Sequence, residues 1–328
     1  MPGDVLQDFH VTLSHVSTMA AYTIPKGLKL QINGHETFPL RQIWLSKLAR
    51  YINDCSCSHT EPILSSKKAI VNLGVGKNMV SSIRFWAAAC GMLDGSSLKL
   101  SSLGELIFGG RDYKGLDPSS ANISTQWLVH WRLAATPEPF IPMFYLFNLV
   151  SAPSLDRECF LTGLVDFCRS VENKTSAATI KRAVDVCMRS YAPRMSHKGS
   201  MEDFIEPLLG ELDLIDAQSR ENFSFHRGAH PTLNNALFAF ALMEYWERLP
   251  YQASSLDFSR IAFDFGSPGK VFKLDTDSLT SRLSRLAELT NESLIWTEQA
   301  GLKQVVKRGE AQEDPEGFKI KLLKRAYA

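Results

Sequence analysis

Leu28, Leu30 and Ile32 alternate with Lys29, Gln31 and Asn33, the two-residue period of a half-buried strand, and Gly34 ends the run. Beyond it Leu40, Ile43, Trp44, Leu48, Tyr51 and Ile52 recur at three- and four-residue intervals. That spacing predicts an amphipathic helix, with Thr37 placed to cap its start. The stretch "SSKKAIVNLGVGKNMVSSIRFWAAACGMLDGSSLKLSSLGELIFGG" predicts a short helix, a glycine turn, a longer helix and a two-stranded extension, the outline of a winged helix with "SSLKLSSLGELIF" as its wing. On the longer helix Val80, Ile83, Ala87 and Cys90 form the inward stripe, and Lys77, Ser81, Arg84 and Ala88 share the neighbouring face.

"DPSSANISTQWLVHWRLAATPEP" predicts a further helix with a proline stop, and "SAPSLDRECF" carries turn chemistry around Pro153. A domain boundary is placed there. The expected fold class is mainly α with small β-elements, with residues 1–152 winged-helix-like and 153–328 mainly helical. In the second half, Ile180, Val184, Cys187, Met188 and Tyr191 mark the buried side of a helix over residues 176–191. Lys174, Lys181, Arg182, Arg189, Arg194 and Lys198 face only one acid, Asp185, in the same region, so its outer surface is basic. "PTLNNALFAFALMEYWERL" is a strongly apolar helix; "FDFGSPGKVFKLDTDSLTSRLSRLAEL" reads as loop, short strand and helix. "LIWTEQAGLKQVVKRGE" predicts a hairpin turned at Gln299 to Gly301, with Lys303, Lys307 and Arg308 on the return.

Composition narrows this picture. A chain of 328 residues suits about two or three domains. With 45% hydrophobic and 22% charged residues it fits an ordinary globular protein. The longest apolar stretch, "PFIPMFYLFNLVSAP", is broken by prolines and falls short of the roughly 20 residues a spanning helix needs. No secretory signal is expected from "MPGDVLQDFHVTLSHVS", so the cytosol is the default, and the six scattered cysteines are expected as reduced thiols. A net charge of +1 means that any nucleic-acid-binding surface must be local.

Several chemical readings can be dismissed on spacing. "LGVGKN" lacks a Walker loop's first glycine, where Val71 stands, and has Asn78 after the lysine; Met79 breaks a dinucleotide fingerprint. No nucleotide or organic cofactor is expected. The better functional use of that stretch is a helix start docked on DNA phosphate, with Lys77 and Arg84 as positioning cations and Asn78 as a base reader. Cys55, Cys57 and His59 in "CSCSH" lack a second ligand pair for zinc. His226 and His230 are separated by Gly228 and suit a loop, and His130 between Trp127 and Trp131 suits a hydrogen-bonded core position.

"GHETF" is harder to place. A zinc-protease helix needs a second histidine where Pro39 stands. What remains is an imidazole (His35), a carboxylate (Glu36) and Arg41 around one turn. A phosphodiester reaction could use them as base, metal ligand or base-positioner, and charge stabiliser. The same residues also suit a plain helix start, where the macrodipole favours Glu36 and His35 bonds locally. Spacing leaves both open.

"GHETF" with Arg41, Trp44 and Leu45, then "LGVGKNMVSSIRFW", "TQWLVHW", "SPGKVFKL" and "EQAGL" resemble, in that order, a bacterial family of initially uncharacterised domains that includes the SspB-type proteins of DNA phosphorothioation systems. The resemblance runs from about residue 31 to 305, with Gln299 standing where the family pattern suggests a threonine. It implies the DNA-nicking component of a single-strand phosphorothioation machine, working beside a cysteine desulfurase, an ATPase and an ATP-pyrophosphatase-like enzyme. It does not assign the residues that cut.

The expectation is therefore a DNA-binding nickase, with His35, Glu36 and Arg41 catalytic and a Mg or Mn ion as cofactor. Lys77, Asn78, Ser81 and Arg84 are expected to grip DNA together with Lys181, Arg182 and Arg189. Two other classes stay open. One is a non-catalytic recognition or scaffold subunit; the other is a small-molecule enzyme, which needs a deep apolar pocket.

Overall fold

A computed structural model describes residues 30–55, 67–94, 99–192, 207–219, 221–250, 253–299 and 301–328. The expected "CSCSH" loop beyond Cys55, Lys29 and Leu28 of the first strand, residues 96–98 of the wing, and Arg194 and Lys198 lie outside the described residues.

Residues 30–43 are extended chain and turns. Gln31 bonds through its N–H to the Glu138 carbonyl (3.2 Å) and through its carbonyl to the Ile141 N–H (2.9 Å). The described part of the expected first strand thus lies against a loop, outside any sheet. Helices α1 (Trp44–Cys55), α2 (Lys67–Leu73), α3 (Lys77–Ala89) and α4 (Ser102–Phe108) follow, and α2, α3 and α4 all pack against α1. Thr37 does not cap α1, which begins only at Trp44 because Thr37 sits at φ +65° inside a tight turn. The wing is also corrected: "SLGELIF" is helical, because the Ser101 side chain accepts from the Gly104 N–H (3.0 Å) and caps α4. Of the expected two-stranded extension, the described residues keep a single bridge, Leu93 to Leu100.

Helix α5 (Ile123–Ala134) is capped by Asn122 and buried on nearly every side. Then come α6 (Ile141–Phe144), a π-helical turn (Tyr145–Leu149), strand β1 (Ser154–Asp156), α7 (Arg157–Ser170) and α8 (Ala177–Tyr191). Strands β2 (Ile215–Ala217) and β3 (Asn222–Phe225) complete an antiparallel sheet in the order β1-β3-β2. Helix α9 (Asn235–Glu247), buried from Ala236 to Met243, packs on α5.

The remaining elements are β4 (Ser255–Asp257), α10 (Phe258–Phe263), α11 (Pro268–Val271), α12 (Thr276–Ser284), α13 (Leu286–Leu289), β5 (Leu294–Gln299), β6 (Leu302–Lys307), α14 (Glu310–Glu313) and α15 (Pro315–Ala326). The β5–β6 hairpin forms as expected, with Gly301 at φ +81°, and β4 extends it to a three-stranded sheet. "VFKL" is not a strand: Val271 ends α11, and Lys273 takes a left-handed conformation (φ +51°) that turns its ammonium inward. There Nζ donates to the carbonyl of Phe147 (3.0 Å) and lies 4.2 Å from the Phe225 ring centroid. Burial drives the Lys273 pKa well below the ordinary lysine value.

The protein is thus mainly helical with two small antiparallel sheets, and buried apolar residues from both halves of the chain join in one core. His130 is fully buried in it. Its Nε2 is 3.0 Å from the Val271 carbonyl, which can only accept, so Nε2 carries the proton and Nδ1 accepts from the Tyr191 hydroxyl at 2.7 Å. The four cysteines with described side chains (Cys90, Cys159, Cys168 and Cys187) are free thiols. Among the described residues no helix is long and apolar enough to cross a membrane.

Candidate functional site

The "GHETF" residues form a strained turn held from several directions. Phe38 N–H donates to the His35 carbonyl at 2.8 Å, and the two central residues, Glu36 and Thr37, sit at φ +47° and +65°. Two positive φ values with this bond define a type I′ turn, a geometry favouring Asn-Gly. A left-handed non-glycine residue costs about 1–2 kcal/mol, more when it is β-branched as threonine is.

The neighbours hold this geometry in place. The Thr37 N–H donates to His35 Nδ1 (3.1 Å), Ser82 Oγ to the His35 carbonyl (2.9 Å), Trp86 Nε1 to the Phe38 carbonyl (3.0 Å) and Arg189 Nη2 to the Thr37 carbonyl (2.7 Å). Gly34 allows the close approach: at φ +111°, a Cβ on it would lie 2.6 Å from Phe85 Cδ2. Backbone strain fixed by surrounding structure concentrates at working sites. Thr37→Gly should therefore raise stability by about 0.5–1 kcal/mol, the relieved strain less the extra chain entropy of glycine. A urea titration measures this; a stability equal to or below wild type would mean the turn is unstrained.

The turn separates its two candidate groups. Glu36 is exposed, whereas His35 is only 4% exposed, with its ring against Phe85, Trp86 and Phe140. Nδ1 accepts from the Thr37 N–H, and Nε2 is buried and makes no well-formed hydrogen bond among the described residues, the Ile32 carbonyl being its polar neighbour. Burial lowers the His35 pKa to about 4; the Ile32 carbonyl opposes that shift, and the cations Arg189 and Arg182 reinforce it. The imidazole is neutral at pH 7 and has no nitrogen open to solvent. Arg41 is also buried, at 6% exposure, with its guanidinium 5.5 Å from the Trp44 ring centroid and 5.9 Å from that of Phe38.

Glu36 lines a cleft of about 620 Å³ with Gly34, Ser81, Arg84, Phe85, Arg132 and Glu138 among the other walls. The α3 face read from the sequence is exposed at Lys77, Ser81, Arg84 and Ala88, as is the neighbouring Asn78, while Met79, Val80, Ile83, Trp86 and Ala87 are buried. Ser81 and Arg84 reach the cleft; Lys77 and Asn78 lie one turn earlier on the same face. Helix α8 approaches the turn too. Lys181 and Arg182 are exposed on it, and Arg189 bonds the turn directly. Asp185, the one acid in that stretch, is paired with Arg157. Arg41 is not among the residues lining the cleft.

Arg132 and Glu138 escaped the sequence reading. Arg132 sits at the end of α5, pairs with Glu244 (2.8 Å), and would lie 2.7 Å from a Cβ on Gly91. Glu138 belongs to the loop that pairs with Gln31, and its Oε2 is buried with no hydrogen-bond partner among the described residues. Neither falls in a periodic pattern with the turn. Only the tertiary fold brings them there.

Residues 32–327 match the family described as protein of unknown function (DUF4007), and the chain belongs to that family. Solved structures of this fold exist for SspB. Two SspB crystal structures, one with magnesium ion bound, each superpose with a TM-score of 0.76 at 23% identity over 90% of this chain and 87% of theirs. No curated protein matches the chain.

Proposed function

We propose that the protein binds DNA and nicks one strand of it, as a component of a bacterial phosphorothioation system. One observation carries this reading: a strained turn presents an exposed carboxylate, Glu36, in a cleft with Ser81 and Arg84, while cationic α8 grips the same turn through Arg189. The likeness to SspB and the motif resemblance support it. A cysteine desulfurase, an ATPase and an ATP-pyrophosphatase-like enzyme would be its partners.

In this reading Lys77, Arg84, Lys181 and Arg182 hold backbone phosphates, and Asn78 and Ser81 add polar contacts. Among the described residues no three His, Cys, Asp or Glu side chains form a closed metal cage. Magnesium does not need one, since one or two carboxylates with water and substrate phosphate suffice. Glu36 is the residue that would hold it. A divalent ion bound there would polarise a phosphoryl oxygen and acidify a water. Water's oxygen would bond to phosphorus, the phosphorus–oxygen ester bond to one sugar would break, and the released alkoxide would take up a proton. His35 acts as a positioning residue that fixes the turn, and Arg41 as a buried brace beneath it.

The second reading, a recognition subunit without its own cutting chemistry, is favoured by the sealed state of His35. Supercoiled plasmid with Mg²⁺ or Mn²⁺ separates the two: a nickase yields open circles, whereas a recognition subunit shifts DNA on a gel and leaves it intact. In either case binding should weaken steeply with salt, and Lys181→Ala or Arg182→Ala should lower the log–log salt slope by about one each. Failure to bind DNA at low salt would end both readings.

A further inference from the structure

Resting on the nicking reading above, we infer that Arg132 is the residue that steadies the charge on the phosphate being cut, the role expected of Arg41 from the sequence. Arg41 is buried beneath the turn and does not line the cleft. Arg132 does line it, with its side chain 33% exposed.

The fold holds this guanidinium on two sides. Nη1 donates to Glu244 Oε1 at 2.8 Å, and the other Glu244 oxygen accepts from Trp131 Nε1 at 2.6 Å, so α9 steadies Arg132 through a carboxylate that is itself tied down. Nη2 lies against Gly91, another residue of the cleft wall. A Cβ on Gly91 would stand 2.7 Å from Nη2 and 3.3 Å from both Cζ and Nε, so any larger residue there would displace the group. Nη2 makes no hydrogen bond to a described residue and is not sealed from solvent.

A guanidinium is a rigid fork whose arms can serve two partners. One arm of Arg132 is spent on Glu244; the open one borders the cleft that also holds Glu36 and Arg84. Carboxylates alone would repel a phosphodiester, and cations on the same cleft offset that repulsion. The two arginines differ in kind. Arg84 is exposed and has no hydrogen bond among the described residues, so it can follow a moving backbone. Arg132 is set in place before substrate arrives. Charge oriented in advance stabilises a transition state because nothing must reorganise as negative charge builds on the non-bridging oxygens. Arg132 keeps its own protons: water's oxygen bonds to phosphorus, the ester bond to one sugar breaks, and the leaving oxygen takes up the proton that water gives up.

The test separates cutting from binding. Open-circle formation is timed with Mg²⁺ on plasmid saturated with protein, and affinity is read by gel shift without metal. Arg132→Lys can still pair with Glu244 but presents a point of charge in place of a fork. It should keep the wild-type urea midpoint and affinity and cut about tenfold more slowly or worse, less than the full loss of an oriented donor because the charge remains. Glu244→Gln, which removes the charge that orients Arg132, should also slow cutting at unchanged affinity.

An Arg132→Lys protein that cuts at the wild-type rate overturns the assignment and leaves the nicking reading standing. A fall in its affinity or urea midpoint large enough to account for slower cutting overturns it too, since Arg132 would then be a structural tie between α5 and α9. A wild type that binds plasmid without cutting it sinks the nicking reading and this inference with it.

Discussion

Glu36→Ala should leave the protein folded and lower strand nicking by about a hundredfold or more, the usual cost of removing a group that acts at a charged transition state. Both halves follow from position. Glu36 is exposed at φ +47°, and alanine meets the same backbone strain there, so a urea midpoint should not move. Its carboxylate is the acidic group that the turn itself presents to the cleft holding Ser81 and Arg84. His35→Ala should behave differently, because it removes the Nδ1 that receives the Thr37 N–H and opens a gap against Phe85, Trp86 and Phe140. That variant should lose stability and activity together. The comparison needs plasmid relaxation rates and denaturant midpoints for both. Wild-type nicking by Glu36→Ala would remove the turn from the chemistry, and a wild type that binds plasmid without relaxing it would leave the turn a recognition device.

Much of the scaffold was legible because long helices carry their burial as a period. Helices α3 and α8 lie where the apolar spacing places them, α5 and α9 were marked instead by their apolar content and stop signals, and the exposed face of α3 matches the sequence reading residue by residue. Short elements were not. "SLGELIF" suits a strand as well as a helix, and the Ser101 cap decides the matter. Strands of three residues such as β1, β2 and β4 are too short to show any period.

The site divides in the same way. "GHETF" stood out by residue type, but glutamate and threonine do not announce a type I′ turn; the bonds from Ser82, Trp86 and Arg189 impose it. The same fold that exposes Glu36 seals His35, a separation of neighbours that composition cannot convey. Lys273 shows the rule at its extreme, a lysine in an unremarkable segment whose ammonium lies in the core against carbonyls and rings.

Acid should unfold this protein well before its carboxylates alone would require. Burial holds the pKa of His35 at about 4 and that of His130 at about 3, and for His130 the nearby His230 and Lys273 add repulsion to any proton. In the unfolded chain each imidazole titrates near its ordinary value of about 6.5. Above that value both states are neutral and stability is unaffected. As pH falls below it, the unfolded chain takes up protons that the folded protein refuses, so stability declines until the folded groups titrate. From about pH 7 to about pH 4.5 the two histidines together should cost about 5 kcal/mol, much of a typical domain's stability. Burial lowers the His230 pKa as well, in the same direction. Urea midpoints measured across this range test the sign and the size. His130→Gln keeps an amide able to donate towards the Val271 carbonyl and cannot titrate, so it should remove about half of the cost assigned to the His35 and His130 pair whatever it does to stability at neutral pH. A variant with the wild-type slope would show that His130 accepts its proton while still folded, and that the core around it opens in acid before the protein unfolds.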